Sequence, residues 1–341
     1  MNNGQNNIQL LDCTLRDGGY VNDWRFGDQN ACSIVDLTLA SGVDYAELAF
    51  IRKCNYERGK LEFSDMAQIT NLFCPHGKPL SAMVEIGYGY PVSAFPECSS
   101  NTVRLVRLVV WKRMIPESVE YARALLDKGY EVAIQATRIE QYDMGEFRDF
   151  IRAFSGLNIK AIYIVDTFGL LTKEDLLDYA SVADEELPDG IRIGYHAHNN
   201  MQQACCNAMT IVEHPWRHGL MIDASVMGIG RGAGNLCLEL FEKYLNERHC
   251  GKYELAPLLE CAELYIEPIY RLSPWGYSIP YMLSAKYGCN PSYVHVLEKM
   301  GATIREMDVV FGLMRGRGCG IRFDEELCGQ MVAEVREMKK Q

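Results

Sequence analysis

Residues 161–166 read Ala-Ile-Tyr-Ile-Val-Asp, a nearly continuous apolar run that ends in a carboxylate. Residues 105–110, Leu-Val-Arg-Leu-Val-Val, form a second such run, and runs of this kind are typical of parallel strands that are covered on both faces. Helical segments alternate with them, which predicts βαβ units and a parallel sheet. Eight strands are predicted, at residues 8–14, 45–50, 80–86, 102–110, 131–136, 161–166, 192–196 and 221–227.

Eight strands with helices between them favour an α/β fold of the closed (β/α)8 TIM-barrel type, which we place at residues 1–250. An open doubly wound sheet is the alternative, but no glycine-rich GxGxxG loop follows the first strand. From about Gly251 onward, helical runs replace the strand-like runs. Residues 251–341 are therefore predicted to form a helical C-terminal region that packs on the barrel or covers its mouth.

The composition restricts the classes of partner. The chain has 34 Lys and Arg against 45 Asp and Glu, a formal net charge of −11, so nucleic acid is not an expected partner. No stretch reaches the ~18 apolar residues that a membrane helix needs, and no membrane association is expected. The 13 cysteines form no CxxC pair and the first seven residues lack an apolar signal region, so we expect a reduced, cytoplasmic protein.

The sharpest local motif is His196-Ala197-His198, at the end of the seventh predicted strand. Because side chains alternate across a strand, the two imidazoles point to the same side. Catalytic groups of a barrel collect at the C-terminal ends of its strands, so this pair indicates half of a metal site. The alternative is that both histidines are hydrogen-bonded and purely structural.

Arg16 and Asp17 follow the first predicted strand in a segment that we interpret as a loop. The first, seventh and eighth strands are neighbours in a closed barrel, so Asp17 can offer an oxygen ligand beside the two imidazoles. Arg16 adds a positive charge that does not titrate away. A mixed nitrogen and oxygen site with room for water suits Mn²⁺ first and Mg²⁺ second, and a closed zinc site less. The alternative is an Arg–Asp pair on the protein surface.

A glycine-rich segment, Gly-Ile-Gly-Arg-Gly-Ala-Gly-Asn at residues 228–235, follows the eighth predicted strand. Glycines such as Gly230 and Gly232 let the backbone approach a ligand closely, and the N-terminus of the helix that follows favours an anion. A tight turn from strand to helix explains the same glycines equally well. Asn235, the last residue of the segment, can either reach the metal or cap the helix.

Two further carboxylates, Glu47 and Asp166, end the second and sixth predicted strands. Either can orient a metal ligand from behind, and a structural role in ordering the barrel mouth is the alternative. Arg104, Arg107 and Arg138 lie on or near strands, and any of them can meet an anionic substrate.

These segments together resemble a family of metal-dependent (β/α)8 lyases and synthases that includes hydroxymethylglutaryl-CoA lyase, isopropylmalate synthase and 4-hydroxy-2-oxovalerate aldolase. The resemblance spans roughly residues 8–245. It rests, in the family's order, on TLRDG at residues 14–18, Glu47, DT-G at 166–169, HAHN at 196–199 and GxGxGAGN at 228–235. The last segment is most similar to the aldolase branch, because it lacks the catalytic cysteine of the acyl-CoA lyases.

By this resemblance Asp17, His196 and His198 bind the divalent metal, Asn235 is a further ligand, and Arg16 stabilises an enolate formed on the metal. The resemblance implies a divalent-metal-dependent aldolase, a carbon–carbon lyase that acts on a 2-oxo acid such as pyruvate and an aldehyde through this metal-stabilised enolate. An acyl-CoA-condensing synthase of the isopropylmalate synthase type and a non-catalytic ligand-binding relative are the alternatives. Assembly into a homo-oligomer stays open.

One position departs from the family. The aldolases place a His base two residues beyond the first glycine of the TLRDG segment, where this chain has Tyr20. Tyrosine has an ordinary pKa near ~10 and is a poor base at neutral pH unless metal or arginine charge lowers that pKa. We therefore take Tyr20 as a candidate catalytic residue that transfers a proton or hydrogen-bonds the substrate hydroxyl. An aromatic lid over the site is the alternative.

Overall fold

Eight parallel strands close into a barrel in the computed structural model of the chain, which describes residues 7–249 and 251–338. The strands are β1 (Ile8–Asp12), β2 (Tyr45–Ile51), β3 (Glu62–Phe63), β4 (Leu80–Glu85), β5 (Leu105–Val110), β6 (Glu131–Thr137), β7 (Ala161–Asp166), β8 (Arg192–Ala197) and β9 (Leu220–Ala224). Neighbours pair in the order β1-β9-β8-β7-β6-β5-β4-β2, and pairing of β1 with β2 closes the ring. The two-residue β3 pairs with β2 outside this ring. The predicted (β/α)8 barrel is confirmed.

The strands are buried on both faces, which explains their continuous apolar runs. Every residue of β2, β7 and β9 is buried. Four predicted strands extend beyond the observed ones: β1 ends at Asp12, β4 at Glu85 and β9 at Ala224, and β5 begins only at Leu105.

Helices connect the barrel strands in the described part of the chain. They are α1 (Thr14–Asn22), α2 (Asp28–Ala40), α3 (Met66–Phe73), α4 (Ile115–Asp127), α5 (Met144–Phe154), α6 (Lys173–Glu186), α7 (Ala204–Glu213) and α8 (Leu238–Arg248). Short 3₁₀ turns follow several strands, for example Ile86–Tyr88 after β4 and Val226–Gly228 after β9. Within residues 7–249 and 251–338, no helix is long and apolar enough to cross a membrane.

The segment that carries Arg16 and Asp17 is the helix α1, so the predicted loop is wrong. α1 begins directly after β1, and the carboxylate of Asp12 accepts a hydrogen bond from the backbone N–H of Thr14 (3.0 Å). The Thr14 hydroxyl donates to the same carboxylate oxygen. This contact satisfies a backbone donor of the first helical turn and fixes the direction in which the helix leaves the strand.

Two adjacent glycines explain why the sequence pattern predicts a loop where the structure has a helix. Gly18 and Gly19 lie inside α1, where they allow close packing and do not form a turn. A Cβ atom on Gly19 would lie 2.0 Å from the indole ring of Trp24, and one on Gly18 would lie 2.9 Å from Ile229. The two glycines destabilise the helix by about 1 kcal/mol each, and they allow it to pack close to its neighbours.

The C-terminal region consists of helices, as predicted. They are α9 (Leu255–Cys261), α10 (Glu267–Leu272), α11 (Ile279–Lys286), α12 (Ser292–Lys299), α13 (Ile304–Gly316) and α14 (Glu325–Met338), and a π-helical turn at Ala262–Ile266 joins α9 to α10. Leu258 and Ile266 belong to the hydrophobic core of the barrel, whereas Leu297 and Phe311 belong to a separate core among α11–α14. The boundary at residue 250 stays a prediction, and the helices beyond it contribute to both cores.

Side-chain contacts hold the C-terminal region against the C-terminal ends of the barrel strands. The indole N–H of Trp275 donates to the backbone oxygen of Met227 (2.9 Å). The guanidinium of Arg231 donates to Asn290 Oδ1 (2.5 Å) and to Ser292 Oγ (3.0 Å). The C-terminal region both packs on the barrel and covers its mouth, so the two predicted arrangements occur together.

Candidate metal centre

Three side chains with metal-binding atoms meet at the C-terminal ends of the strands. Asp17 comes from α1, His196 from β8, and His198 from just beyond β8. One ligand atom from each lies within 4.8 Å of the others, and all three side chains are buried. The two imidazole centroids are 5.1 Å apart, so the alternation of side chains along β8 does bring both rings to one side. Their role as metal ligands stays a prediction.

Asp223 on β9 orients His196. Its Oδ2 lies 2.8 Å from His196 Nδ1, and both side chains are buried. Burial acts to raise the pKa of Asp223, but the charge of Arg107 and the hydrogen bond with His196 lower it below its ordinary value. A carboxylate in this position fixes the tautomer of an imidazole and leaves Nε2 free for a cation.

His198 has a buried nitrogen that lacks a partner. Among the described residues nothing hydrogen-bonds to its Nδ1, which lies 3.9 Å from Asp17 Oδ2. Burial, opposed by the charge of Asp17, lowers the pKa of His198 to about 3, so the imidazole is neutral and keeps a lone pair. An unpaired buried polar atom costs about 1–3 kcal/mol, and a cation bound at this point would offset that cost.

Asp17 is held as a carboxylate. Burial acts to raise its pKa, but the charge of Arg16 and the neighbouring imidazoles of His198 and His196 lower the pKa of Asp17 well below its ordinary value. The Arg16 guanidinium donates to Oδ1. Asp17 is 1% exposed and Arg16 is 4% exposed, so the alternative of a surface ion pair is wrong. The three side chains together offer two imidazole nitrogens and a charged oxygen.

Asn235 reaches the cluster through its amide nitrogen. Nδ2 donates to Asp17 Oδ2 (2.7 Å) and to the backbone oxygen of Ile229 (3.2 Å). Its Oδ1 is buried and has no hydrogen-bond partner in the described part of the chain. The residue before α8 is Cys237, so Asn235 does not cap this helix. The amide therefore supports Asp17, and the ligand role predicted for Asn235 stays a prediction.

A chain of buried charges lies beneath the cluster. Arg16 Nε donates to Glu47 Oε2 (2.7 Å), and Arg107 Nη1 donates to the same oxygen (2.8 Å). Arg107 Nη2 also donates to Asp223 Oδ2. In order, the chain runs Asp17, Arg16, Glu47, Arg107, Asp223 and His196. Glu47 thus orients Arg16 and does not contact a histidine of the cluster.

The three arginines considered for substrate binding have different environments. Arg107 is fully buried in the charge network. Arg104 precedes β5 at the opposite end of the barrel and pairs with Glu131 at 3.0 Å. Arg138, just after β6, lines the cavity at the mouth. Arg138 is therefore the one of the three that is placed to meet a ligand.

Asp166 orders the loop that follows β7. Its Oδ1 accepts a hydrogen bond from the backbone N–H of Leu170 (2.8 Å) and its Oδ2 accepts one from Leu171 (3.1 Å). Burial raises the pKa of Asp166 to about 7, although these backbone hydrogen bonds oppose the rise. These contacts correspond to the structural alternative for Asp166, because both carboxylate oxygens are occupied by its own loop.

Gly230 lets the segment after β9 approach the cluster. A Cβ atom at this position would lie 2.3 Å from Asn235 Nδ2 and 2.7 Å from Asp17 Oδ2. Gly232 has φ +69°, and a Cβ there would lie 2.6 Å from the Asn200 side chain. Both glycines therefore let the backbone lie close to side chains of the site, and the predicted approach of this backbone to a ligand stays a prediction.

We expect Gly230→Ala to weaken Mn²⁺ binding about 10–100-fold, because the new methyl group pushes Asn235 and the Asp17 carboxylate out of position. Calorimetric titration of metal-depleted protein measures the change. Gly156→Ala is the matched control, since nothing lies within 4 Å of a Cβ at that position. Equal affinities in the two variants would contradict the role assigned to Gly230.

A cavity of about 550 Å³ opens over the cluster at the barrel mouth. Charged side chains in its wall are Arg16, Asp17, Glu85, Arg138, Arg231 and Arg322, and aromatic ones are Tyr20, Phe50, Tyr88, Trp111 and Phe323. Arg322 and Phe323, with Asn290 and Ser292, come from the C-terminal region. A C-terminal region that covers the barrel mouth was predicted, but no sequence motif identifies these four residues, because they lie far along the chain from the other residues of the site.

Tyr20 lies on α1 in the wall of this cavity and is 45% exposed. Its ring packs edge-on against Trp24, with centroids 4.8 Å apart, and the Arg231 guanidinium lies 5.5 Å from its centroid. Desolvation of the phenol, opposed by the charge of Arg231, raises the pKa of Tyr20 above its ordinary value. The phenol is therefore protonated at neutral pH, which suits a donor better than a base.

Comparison with known proteins places the chain among metabolic enzymes. It matches the model of the HMGL-like family over residues 7–264. It is 25% identical over 282 residues to a 4-hydroxy-2-oxovalerate aldolase from Geobacillus genomosp. 3, with 77% of each chain covered. It is 23% identical over 288 residues to an oxaloacetate decarboxylase from Mycobacterium tuberculosis, with 79% of this chain and 80% of the relative covered.

A solved structure has the same fold. The N-terminal domain of a Bacteroides vulgatus protein, provisionally named an aldolase, aligns with a TM-score of 0.71 and 23% identity over 87% of this chain and 99% of that chain. At this identity the likeness supports the fold alone. The family model, in contrast, covers well over half of the chain, from β1 through β9 and into the turn that follows α9. The chain belongs to the HMGL-like family, as the resemblance in its motifs indicated.

Proposed function

We propose that the protein is a divalent-metal-dependent aldolase that makes or breaks the bond between the α-carbon of a 2-oxo acid and the carbonyl carbon of an aldehyde. The observation that carries this proposal is the buried cluster of Asp17, His196 and His198 in the wall of the mouth cavity, with Arg16 bound to it. The family and two relatives named for reactions of 2-oxo acids support the same class of reaction.

The donor atoms suit a divalent cation. His198 Nδ1 and Asn235 Oδ1 are buried without partners among the described residues, and Asp17 is charged. Two nitrogens and an oxygen favour Mn²⁺, with Mg²⁺ as the second choice. When bound, such a cation acts as a Lewis acid toward the carboxylate and keto oxygens of a 2-oxo acid.

Arg16 is placed to bind negative charge on the substrate. Its Nε and Nη1 are held by Glu47 and Asp17, which leaves Nη2 for the cavity that Arg16 lines. The guanidinium cannot lose its proton under any ordinary condition. A fixed donor in a buried site stabilises the oxygen charge that develops as the carbon–carbon bond breaks.

The bond changes balance without a redox partner. In a 4-hydroxy-2-oxo acid, the C4 hydroxyl gives up its proton and C4 becomes an aldehyde carbon as the C3–C4 bond breaks. C3 keeps the electron pair and takes up a proton to complete the 2-oxo acid. Addition is the reverse, and there the protonated phenol of Tyr20 can donate its proton to the aldehyde oxygen.

We expect Tyr20→Phe to lower aldol turnover about 100-fold, because the change removes the hydroxyl and keeps the ring. Mn²⁺ affinity and pyruvate binding should stay at the level of the unchanged protein. Tyr20→Ala is the companion variant. If turnover survives in Phe and collapses only in Ala, then the ring is a lid and the proton-transfer role is wrong.

Oxaloacetate decarboxylation is a second candidate, favoured by the similarity to the Mycobacterium tuberculosis enzyme. Decarboxylation leaves the electron pair of the broken bond on C3, the same carbon as in aldol cleavage, and releases CO₂. No hydroxyl proton moves in that reaction, so Tyr20→Phe should leave it unchanged. The same variant therefore separates the two activities.

The direct test incubates metal-depleted protein with pyruvate and a panel of aldehydes, with and without Mn²⁺, and detects 4-hydroxy-2-oxo acids by mass spectrometry. Parallel reactions measure loss of oxaloacetate and release of free CoA from acetyl-CoA with 2-oxo acids. Aldol product that depends on Mn²⁺ supports the proposal. Thiol release would identify a condensing synthase, and binding of pyruvate without any product would identify a non-catalytic relative.

A further inference from the structure

We propose that the aldehyde partner carries a second anionic group, a carboxylate or a phosphate, and that Arg138, Arg231 and Arg322 bind it. This inference rests on the proposed function, because it names the substrate class of the same cavity. All three side chains line the cavity that contains the metal cluster. They come from the end of β6, from the glycine-rich segment and from the C-terminal region.

The three arginines have no acidic partner in the described chain. Arg16 and Arg107 each bind two carboxylates, whereas none of the three has a carboxylate oxygen within 4 Å of its guanidinium. The acidic side chains in the cavity wall are Asp17 and Glu85, and Asp17 is occupied by Arg16. Glu85 offsets part of the charge of Arg138 and Arg231, but the wall still has four arginines against two carboxylates, and this excess of positive charge is what an anion site requires.

Arg138 is held in a conformation that costs free energy. Its backbone has φ 56° and ψ 55°, in the left-handed region that residues other than glycine rarely adopt. Its backbone N–H donates to Thr167 Oγ1 (2.8 Å), which fixes this turn. Burial and the charge of Arg231 lower the pKa of Arg138, against the charges of Glu140 and Glu85, which act to raise it. Strain and like-charge repulsion at one point favour a site that is completed by a ligand.

Arg231 places the anion at the aldehyde end of the substrate. Its partners Asn290 and Ser292 are uncharged, so its own charge stays available. Its guanidinium lies 5.5 Å from the ring centroid of Tyr20, the residue proposed to serve the aldehyde oxygen. The 2-oxo acid end is assigned to the metal cluster and Arg16. A cavity of about 550 Å³ also has more room than a 2-oxo acid and a two-carbon aldehyde need.

The first test measures binding without catalysis. Metal-depleted protein is titrated by calorimetry with inorganic phosphate and, separately, with succinate. Arg138→Gln and Arg322→Gln should each weaken binding of at least one anion by about tenfold or more, since each removes a charge-assisted hydrogen bond. Arg104→Gln, which alters an arginine at the opposite end of the barrel, should bind like the unchanged protein, and Mn²⁺ affinity should be equal in all four proteins. Absence of binding to both anions, or equal binding by all variants, overturns the inference.

The second test uses turnover and tells carboxylate from phosphate. With Mn²⁺ and pyruvate, KM is compared for butanal, succinic semialdehyde and glycolaldehyde phosphate. A KM about tenfold or more lower for one charged aldehyde supports the inference, and Arg138→Gln should abolish that preference without changing KM for butanal. Equal use of butanal overturns it. No product from any aldehyde, together with anion binding that depends on Arg138, would contradict the aldolase function and leave the anion site standing.

Discussion

Replacing His196 with alanine is expected to strip the metal from the protein while the barrel stays folded. The variant loses one of the three predicted ligands, and we expect the remaining carboxylate and imidazole not to hold a divalent cation at micromolar concentrations. Asp223 keeps its ion pair with Arg107 in the variant, so no buried charge is left without a partner. Elemental analysis should give about one metal per chain in the parent and almost none in His196→Ala, with equal circular dichroism spectra.

Stability gives a second measure of the same loss. A cation that binds only the folded state stabilises it by about 2.7 kcal/mol when its free concentration is 100 times Kd. Mn²⁺ should therefore raise the Tm of the parent and leave that of His196→Ala unchanged. His76→Ala, a change at an exposed histidine, is the control and should behave as the parent. Equal metal content in all three proteins would disprove the assigned site.

Arg16→Lys is expected to lower kcat about 100-fold, equivalent to on the order of 3 kcal/mol of transition-state stabilisation. The planar guanidinium binds Glu47 through Nε and Asp17 through Nη1, and its Nη2 is left for the substrate. A lysine ammonium is a point charge on a flexible stem and cannot keep all three directions. Because the lost interaction strengthens as charge develops, kcat should fall more than KM rises.

Metal content decides how this result is interpreted, since Arg16 also contacts Asp17. Mn²⁺ bound at parental stoichiometry, with kcat reduced, supports a role in charge stabilisation. Arg25→Lys changes an arginine that is half exposed and paired with Glu57 at 2.5 Å, and it should retain full turnover. Full turnover in Arg16→Lys as well would show that Arg16 has only a structural role.

Local patterns predicted the parts of the site that depend on local geometry. His196 and His198 share a side because strand alternation requires it. Asp17 joins them because closure of the (β/α)8 barrel pairs β1 with β9, which in turn pairs with β8. Four short segments in family order are enough to predict that these residues belong to one site.

The remaining features of the site and of the fold depend on contacts between residues that are far apart in the sequence or packed in three dimensions, which no local pattern predicts. Asp223 lies in a strand that reads as ordinary core, and its pairing with Arg107 and His196 follows from the register of strands around the barrel. Gly18 and Gly19 resemble turn residues, yet they lie in a helix. Glycine is needed at these two helical positions because Trp24 and Ile229 leave no room for a side chain.

The chain of buried charges beneath the cluster also bears on the order in which ligands enter. It contains two arginines and the three carboxylates of Asp17, Glu47 and Asp223, so these five groups together have one net negative charge. At the metal ligands an anionic 2-oxo acid meets this negative charge, whereas Arg138, Arg231 and Arg322 are assigned to the aldehyde end of the cavity. A divalent cation reverses the sign of the charge at the metal ligands and turns repulsion into attraction. We therefore expect Mn²⁺ to bind before the 2-oxo acid. A 2-oxo acid added to metal-free protein should neither bind tightly nor slow the later binding of Mn²⁺.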